Sequence, residues 1–209
     1  MTLLLDCRCT CPPREGVEPS LSDFGAIRDD CGALRQVLLP DEVWPRFEKW
    51  HHKPDDVAWH RSAVFLAFQR GHLGQLTSPV HRYLIAHGSV RPDVRQQYRQ
   101  DLCERWMYYD DPVERHRKWR IFCGRVAELQ CAQWLEGRGW AITGLEAIRE
   151  GCDIEATSPD GSTTAIEVKY IGTEDADFSA IVSSIAGASG ARFSSAYSGV
   201  NYLLVGVSP

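Results

Sequence analysis

Gly151-Cys152-Asp153-Ile154-Glu155-Ala156 and Thr164-Ala165-Ile166-Glu167-Val168-Lys169 read as two strands, and Ser158-Pro159-Asp160-Gly161-Ser162 between them reads as a turn. A three-residue loop over Pro159, Asp160 and Gly161, with Gly161 in the left-handed region, sets the register. Ser158 then faces Ser162, Ile154 faces Ile166 and Asp153 faces Glu167. Side chains alternate along each strand, and opposed residues point to the same side. One face therefore carries Asp153, Glu155, Glu167 and Lys169, and the other carries Ile154, Ala156, Ile166 and Val168. A two-residue Asp-Gly loop would slip the pairing by one and put Asp153 on the apolar face. The three-residue loop is the expectation.

Two carboxylates opposed on a sheet repel each other. A hard cation such as Mg²⁺ relieves that repulsion, because it takes one or two carboxylates and keeps several waters. Lys169 is expected on the same face, where it would steady charge or orient a water. A solvated polar face with a short Glu-x-Lys run is the plainer alternative. Upstream, the periodicity predicts a helix from Trp119 to about Gly137. Ile121, Glu128, Ala132 and Leu135 fall near one stripe, beside Phe122, Val126 and Leu129. Glu128 thus sits on or beside the face that packs on the sheet, where a carboxylate is costly unless paired or bound to metal. The alternative is a Glu128 at the edge of the stripe, reaching water.

Taken in order, Gly124-Arg125-Val126-Ala127-Glu128, Leu135-Glu136-Gly137-Arg138-Gly139-Trp140, Cys152-Asp153-Ile154 and Ile166-Glu167-Val168-Lys169 resemble the PD-(D/E)XK nuclease superfamily, the restriction-endonuclease-like fold. Cys152-Asp153 stands where the pattern has Pro-Asp. The resemblance covers roughly residues 119–209. It implies an α/β domain with an αβββαβ core and an Mg²⁺- or Mn²⁺-dependent endonuclease activity, on DNA in most relatives. The catalytic set it implies is Glu128, Asp153, Glu167 and Lys169. Asp153, Glu167 and the Val168 carbonyl would hold the metal, with Glu128 at a second metal or water. Glu155 is a possible assistant that the pattern does not require.

The domain expectation is a helical region over residues 1–111, which would select substrate or partner, and a nuclease-like domain over residues 112–209. Helices are expected after Ser20, at Asp41, at Pro54, at Ser78-Pro79, at Pro92 and at Asp111-Pro112, the last running into the Glu128 helix. Gly137-Arg138-Gly139 should end that helix. Trp140 to Gly144 should begin a strand, followed by a loop over Glu146 to Glu150. Asp175 or Asp177 should cap a further helix, and Tyr202 to Val207 should form a buried strand.

Composition narrows the class. The proportions of apolar and charged residues are those of a globular protein. No apolar run approaches the ~18 residues of a membrane span, and Leu3-Leu4-Leu5 is too short for a signal-peptide core. The expectation is an intracellular, cytoplasmic protein with mostly reduced cysteines and no membrane partner. Net charge is −5, which weighs mildly against a nucleic-acid grip. The segment Arg82–Arg125 is nevertheless net basic, and Arg117, Lys118, Arg120 and Arg125 are the candidate phosphate contacts. A homodimer or a protein partner would supply further contacts. Cys7, Cys9, Cys11 and Cys31 are a weak candidate for Zn²⁺, because ligand pairs are usually two to four residues apart; free thiols in a loose arm is the favoured reading. The function expected is metal-dependent hydrolysis of phosphodiesters. The alternative is an inactive nuclease-fold module that binds a protein or nucleic acid.

Overall fold

The computed structural model describes residues 21–51, 64, 67–68, 71–86, 90–104, 111–147, 152–170 and 205–207. Five helices and five strands appear among them: α1 (Leu21–Asp30), α2 (Trp44–His51), α3 (Leu73–Val80), α4 (Pro92–Glu104), α5 (Pro112–Glu136), β1 (Ala141–Ala147), β2 (Cys152–Thr157), β3 (Thr163–Ile166), β4 (Val168–Tyr170) and β5 (Val205–Val207). Most of the helix expected after Pro54 and the whole of the one expected at Asp175 or Asp177 lie outside the described residues. The front of the chain is helical, and the C-terminal half mixes helix and strand, as the α/β reading expects at that level. Among the described residues no helix is long and apolar enough to cross a membrane.

The apolar run from Phe24 to Leu38 does not form one helix. α1 stops at Asp30, and the chain widens into a π-helical turn over Leu34–Leu38, closed by a Leu39 N–H to Leu34 O bond of 2.7 Å. The bend wraps the buried Arg28. Its Nε donates to Leu39 O at 2.6 Å, its guanidinium pairs with Asp29 and Asp41, and it stacks over Trp44. A buried guanidinium needs such partners, and a straight helix would carry Leu39 and Asp41 away from it. Around it pack Phe24, Phe47 and Phe68, with Phe24 5.6 Å and 5.1 Å from the other two rings.

α3 starts earlier than Ser78-Pro79. Leu73 and Leu76 are buried in its first turn, and Pro79 sits in its last beside the buried Val80. Proline removes a helical N–H and crowds the preceding turn, and the chain continues as a π-helical turn over His81–Ala86. Pro92 does begin α4. Asp111 accepts the Val113 N–H at 2.9 Å and caps α5, which runs unbroken past Glu128 as expected. The helix ends in a Schellman turn. Gly139 has φ +84°, its N–H bonds Glu136 O at 2.9 Å, and Trp140 N–H bonds Leu135 O at 3.1 Å.

The chain forms two compact units, one of residues 1–88 with 95–126 and one of residues 89–94 with 127–209. Their boundary falls within α5, after Val126, where the sequence suggests a boundary at the helix start. The 25 residues of α5 rise about 37 Å.

In the second unit, β1, β2 and β3 form an antiparallel sheet in that order, and β4 pairs with β5 in parallel. The hairpin register is the expected one: Ile154 faces Ile166, Glu155 faces Ala165 and Thr157 faces Thr163. Its loop is held by Ser158 N–H to Ser162 O and Gly161 N–H to Ser158 O, both 2.9 Å, with Gly161 at φ +88°. β1 reaches Ala147, further than the expected loop at Glu146 allows, and a bulge at Thr143 interrupts its pairing with β2. The strand expected from Thr164 to Lys169 is broken at Glu167: Ile166 ends the pairing with β2, and Val168 begins the pairing with β5.

Candidate functional site

β2 alternates as the turn requires. Cys152, Ile154 and Ala156 are buried, while Asp153, Glu155 and Thr157 are half-buried. The backbone ladder ends at Ile154↔Ile166, one step short of the expected Asp153–Glu167 pair. A side chain takes over from it: the Val168 N–H donates to Asp153 Oδ2 at 2.7 Å. Asp153 thus ties the first residue of β4 to β2 at the point where the chain changes sheets. Glu167, the residue of the break, is only 6 % exposed.

Glu128 on α5 is 7 % exposed, and the buried face of the helix continues through Cys131, Ala132 and Leu135. Two observations bring this face to the base of the hairpin. At one end, a Cβ on Gly139 would lie 3.6 Å from Pro159 Cγ, so the helix cap rests on the hairpin tip. From there back to Glu128 is about 16 Å of helix, and from Pro159 back to Asp153 is about 20 Å of strand. At the other end, the Cys131 thiol is pushed up to about 12, first by burial and then by the Asp153 and Glu128 carboxylates. Both acids are therefore within electrostatic reach of one sulfur. Cys131 stays protonated at neutral pH and is no nucleophile. Cys152, on the other face of β2, is pushed up to about 11 by burial, then by Glu155 and Asp153. The stripe in the sequence pointed to Glu128 but passed over Cys131. Cys131 lies one turn after Glu128, and a cysteine treated as a small apolar residue would have been found there.

Glu155 shares the Asp153 face, and its Oε1 accepts from Thr143 Oγ1 at 2.8 Å. The bulge at Thr143 makes this pair; nothing in the sequence signalled it. Of Lys169 the backbone is described, paired with Gly206 in the β4–β5 ladder. The oxygen donors suit a hard cation, since two carboxylates suffice when water completes the shell. Among the described residues, no three or more His, Cys, Asp or Glu side chains are gathered so as to hold a metal ion. The third carboxylate, Glu128, is brought near without joining such a group.

The basic candidates divide. Arg117 is exposed and bonded to Glu114 Oε2 at 3.0 Å, Arg120 is exposed, and Lys118 is half-buried. Arg125 is not on an open phosphate-binding face. Its Nε donates to the buried Asp101 at 2.9 Å and its guanidinium covers Tyr98, so this cation serves the core of the first unit. Of the zinc candidates, Cys31 is a buried free thiol, and Cys7, Cys9 and Cys11 lie outside the described residues.

Comparison with protein-family models, with curated proteins and with solved structures returns no significant match.

Proposed function

We propose that the second unit is a metal-dependent nuclease domain of the restriction-endonuclease-like kind, hydrolysing phosphodiester bonds, in DNA first. The observation that supports the reading is the 2.7 Å bond from the Val168 N–H to Asp153 Oδ2, which brings the Asp153 carboxylate to the residue that follows the buried Glu167. Glu128 is buried on α5, and it and Asp153 both act on the Cys131 thiol. Carboxylate oxygens of this kind are the ligands a hard cation takes.

Asp153, Glu167 and the Val168 carbonyl would hold Mg²⁺ or Mn²⁺, with Glu128 at a second position. A bound cation supplies a Lewis acid that draws charge from the phosphodiester. The chain does the rest. The Val168 N–H orients the Asp153 carboxylate. Lys169 orients the attacking water and offsets charge on the phosphoryl oxygens. Glu128 accepts a hydrogen bond from that water. Arg117, Lys118 and Arg120 are the remaining candidate contacts to the nucleic-acid backbone, and a second copy or a protein partner adds to the grip. The free thiols at Cys31, Cys103, Cys123, Cys131 and Cys152 suit a reducing compartment.

One observation favours the second reading, a nuclease-like fold used only for binding. Asp153 already has a structural task, the bond to Val168. Asp153→Asn separates the two readings, because an amide oxygen can still accept the Val168 N–H but is a poor ligand for a hard cation. A panel of supercoiled plasmid, linear duplex, single-stranded DNA and structured RNA, with Mg²⁺, Mn²⁺ or EDTA, is the test. On the nuclease reading, cleavage falls by at least about a hundredfold in Asp153→Asn, while its melting temperature without metal stays close to that of the wild type. No cleavage by the wild type, together with no Mn²⁺ binding by calorimetry, sinks the catalytic reading.

A further inference from the structure

The hairpin tip carries a chemically vulnerable pair that the turn itself protects. In a mobile Asp-Gly sequence, the glycine amide nitrogen attacks the aspartate Cγ. A C–N bond forms, the Cγ–OH bond breaks, and water leaves, giving a cyclic imide. Water then adds at the Asp main-chain carbonyl and breaks the original peptide C–N bond. The product is isoaspartate, in which the chain runs through Cβ and Cγ and is one atom longer. The reaction needs a protonated carboxyl, a glycine nitrogen able to turn toward it, and a backbone free to close the ring.

Asp160-Gly161 meets none of these conditions in the folded hairpin. The Gly161 N–H is engaged by Ser158 O at 2.9 Å, and Gly161 is fixed at φ +88°. Asp160 Oδ1 is engaged by Ser162 N–H at 3.0 Å, Ser162 Oγ at 2.7 Å and Ser158 Oγ, so the carboxylate must leave these donors before it can close a ring. The same donors hold its carboxyl down to about 2, so it is ionised at neutral pH. The tip is nevertheless solvent-exposed from Pro159 to Thr163, so water is at hand whenever the turn opens.

We infer that Asp160-Gly161 is a latent isoaspartate site, closed by the Ser158–Asp160–Ser162 clamp and exposed when the hairpin tip opens. The consequence reaches the other end of the hairpin. An extra chain atom in a three-residue loop destroys the match of Ser158 to Ser162. The strand pairing down to Ile154 and Ile166, at the foot of which Asp153 lies, depends on that match, because register is set by loop length and turn type. The inference rests only on the hairpin and stands whether or not the carboxylates are catalytic.

The test follows isoaspartate at position 160 by peptide mapping with mass spectrometry, on the full chain held at neutral pH and 37 °C. Folded wild type, wild type in strong urea, and folded Ser158→Ala and Ser162→Ala proteins are compared. Isomerisation should be at least about tenfold slower in the folded wild type than in urea, since protection follows the opening equilibrium, with both serine variants between. Isomerised molecules, separated by chromatography, should show faster hydrogen exchange at the Ile154 and Ile166 amides. Equal rates in folded and unfolded chains, or no isoaspartate in urea, would overturn the inference. So would serine variants as slow as the wild type while circular dichroism shows the fold intact.

Discussion

Among the described residues, the first unit buries charges of both signs and the second buries acids. In the first, buried charges come with partners of opposite sign: Arg28 with Asp29 and Asp41, Asp101 with Arg125. In the second, the buried charged residues among those described are Glu128 and Glu167, both acidic. A buried pair of opposite charges can roughly offset its own desolvation, and removing one member leaves the other exposed to the full cost. On the nuclease reading proposed above, the acids of the second unit gain stability from a cation, whereas the pairs of the first unit need none.

The sharpest way to break this contrast is to remove one member from each unit. Asp101→Ala strands Arg125 in the core and should cost about 3–5 kcal/mol in urea unfolding. A loss below about 1 kcal/mol would mean that the pair is cosmetic. Glu128→Gln removes a like charge instead. Without metal it should leave stability unchanged or raise it by up to about 1 kcal/mol, while weakening the rise in melting temperature that Mn²⁺ gives the wild type. If metal-free Glu128→Gln is destabilised as much as Asp101→Ala, the two units do not differ in the way proposed.

The smallest effect concerns Asp160, an acid of the second unit satisfied by turn donors rather than by burial. Its folded carboxyl titrates at about 2, against an unfolded value of about 3.9. Its stabilisation is therefore present above the unfolded value and lost as pH falls through the folded one. The stability difference between wild type and Asp160→Asn should shrink as pH is lowered from about 4 toward 2. A difference that stays constant over that window would show that the clamp does not depend on the charge.

Local features of the fold could be read from the chain, and features made by distant partners could not. Pro159-Asp160-Gly161 with polar alternation on both sides yields the hairpin register, because a turn type and a two-residue period leave one consistent pairing. Gly139 announces its helix end for the same reason. The break at Glu167 was hidden because it depends on β5, far along the chain. Arg125 looked like part of a basic face because its partner, Asp101, lies on another helix. Pro79 misled because proline more often opens a helix than ends one, and here the burial of Leu73, Leu76 and Val80 outweighed it. Alternation and helical periodicity single out Asp153, Glu167 and Glu128 as candidates, and the structure buries Glu128 and Glu167 and half-buries Asp153. The bonds from Val168 to Asp153 and from Thr143 to Glu155 come from a sheet switch and a bulge that no local pattern encodes.

The parallel pairing of Val168 with Val205 also sets an order in time. Hairpin contacts close short loops, whereas β4 and β5 must close a long one, and loop-closure entropy delays long-range pairing. Asp153 and Glu167 should therefore meet early in folding, before β5 docks. Pulse-labelled hydrogen exchange should protect the Ile154 and Ile166 amides before those of Val205 and Val207; the reverse order would place β5 in the folding nucleus. On the nuclease reading proposed above, a cation present during synthesis would then act on folding speed before it acts on substrate.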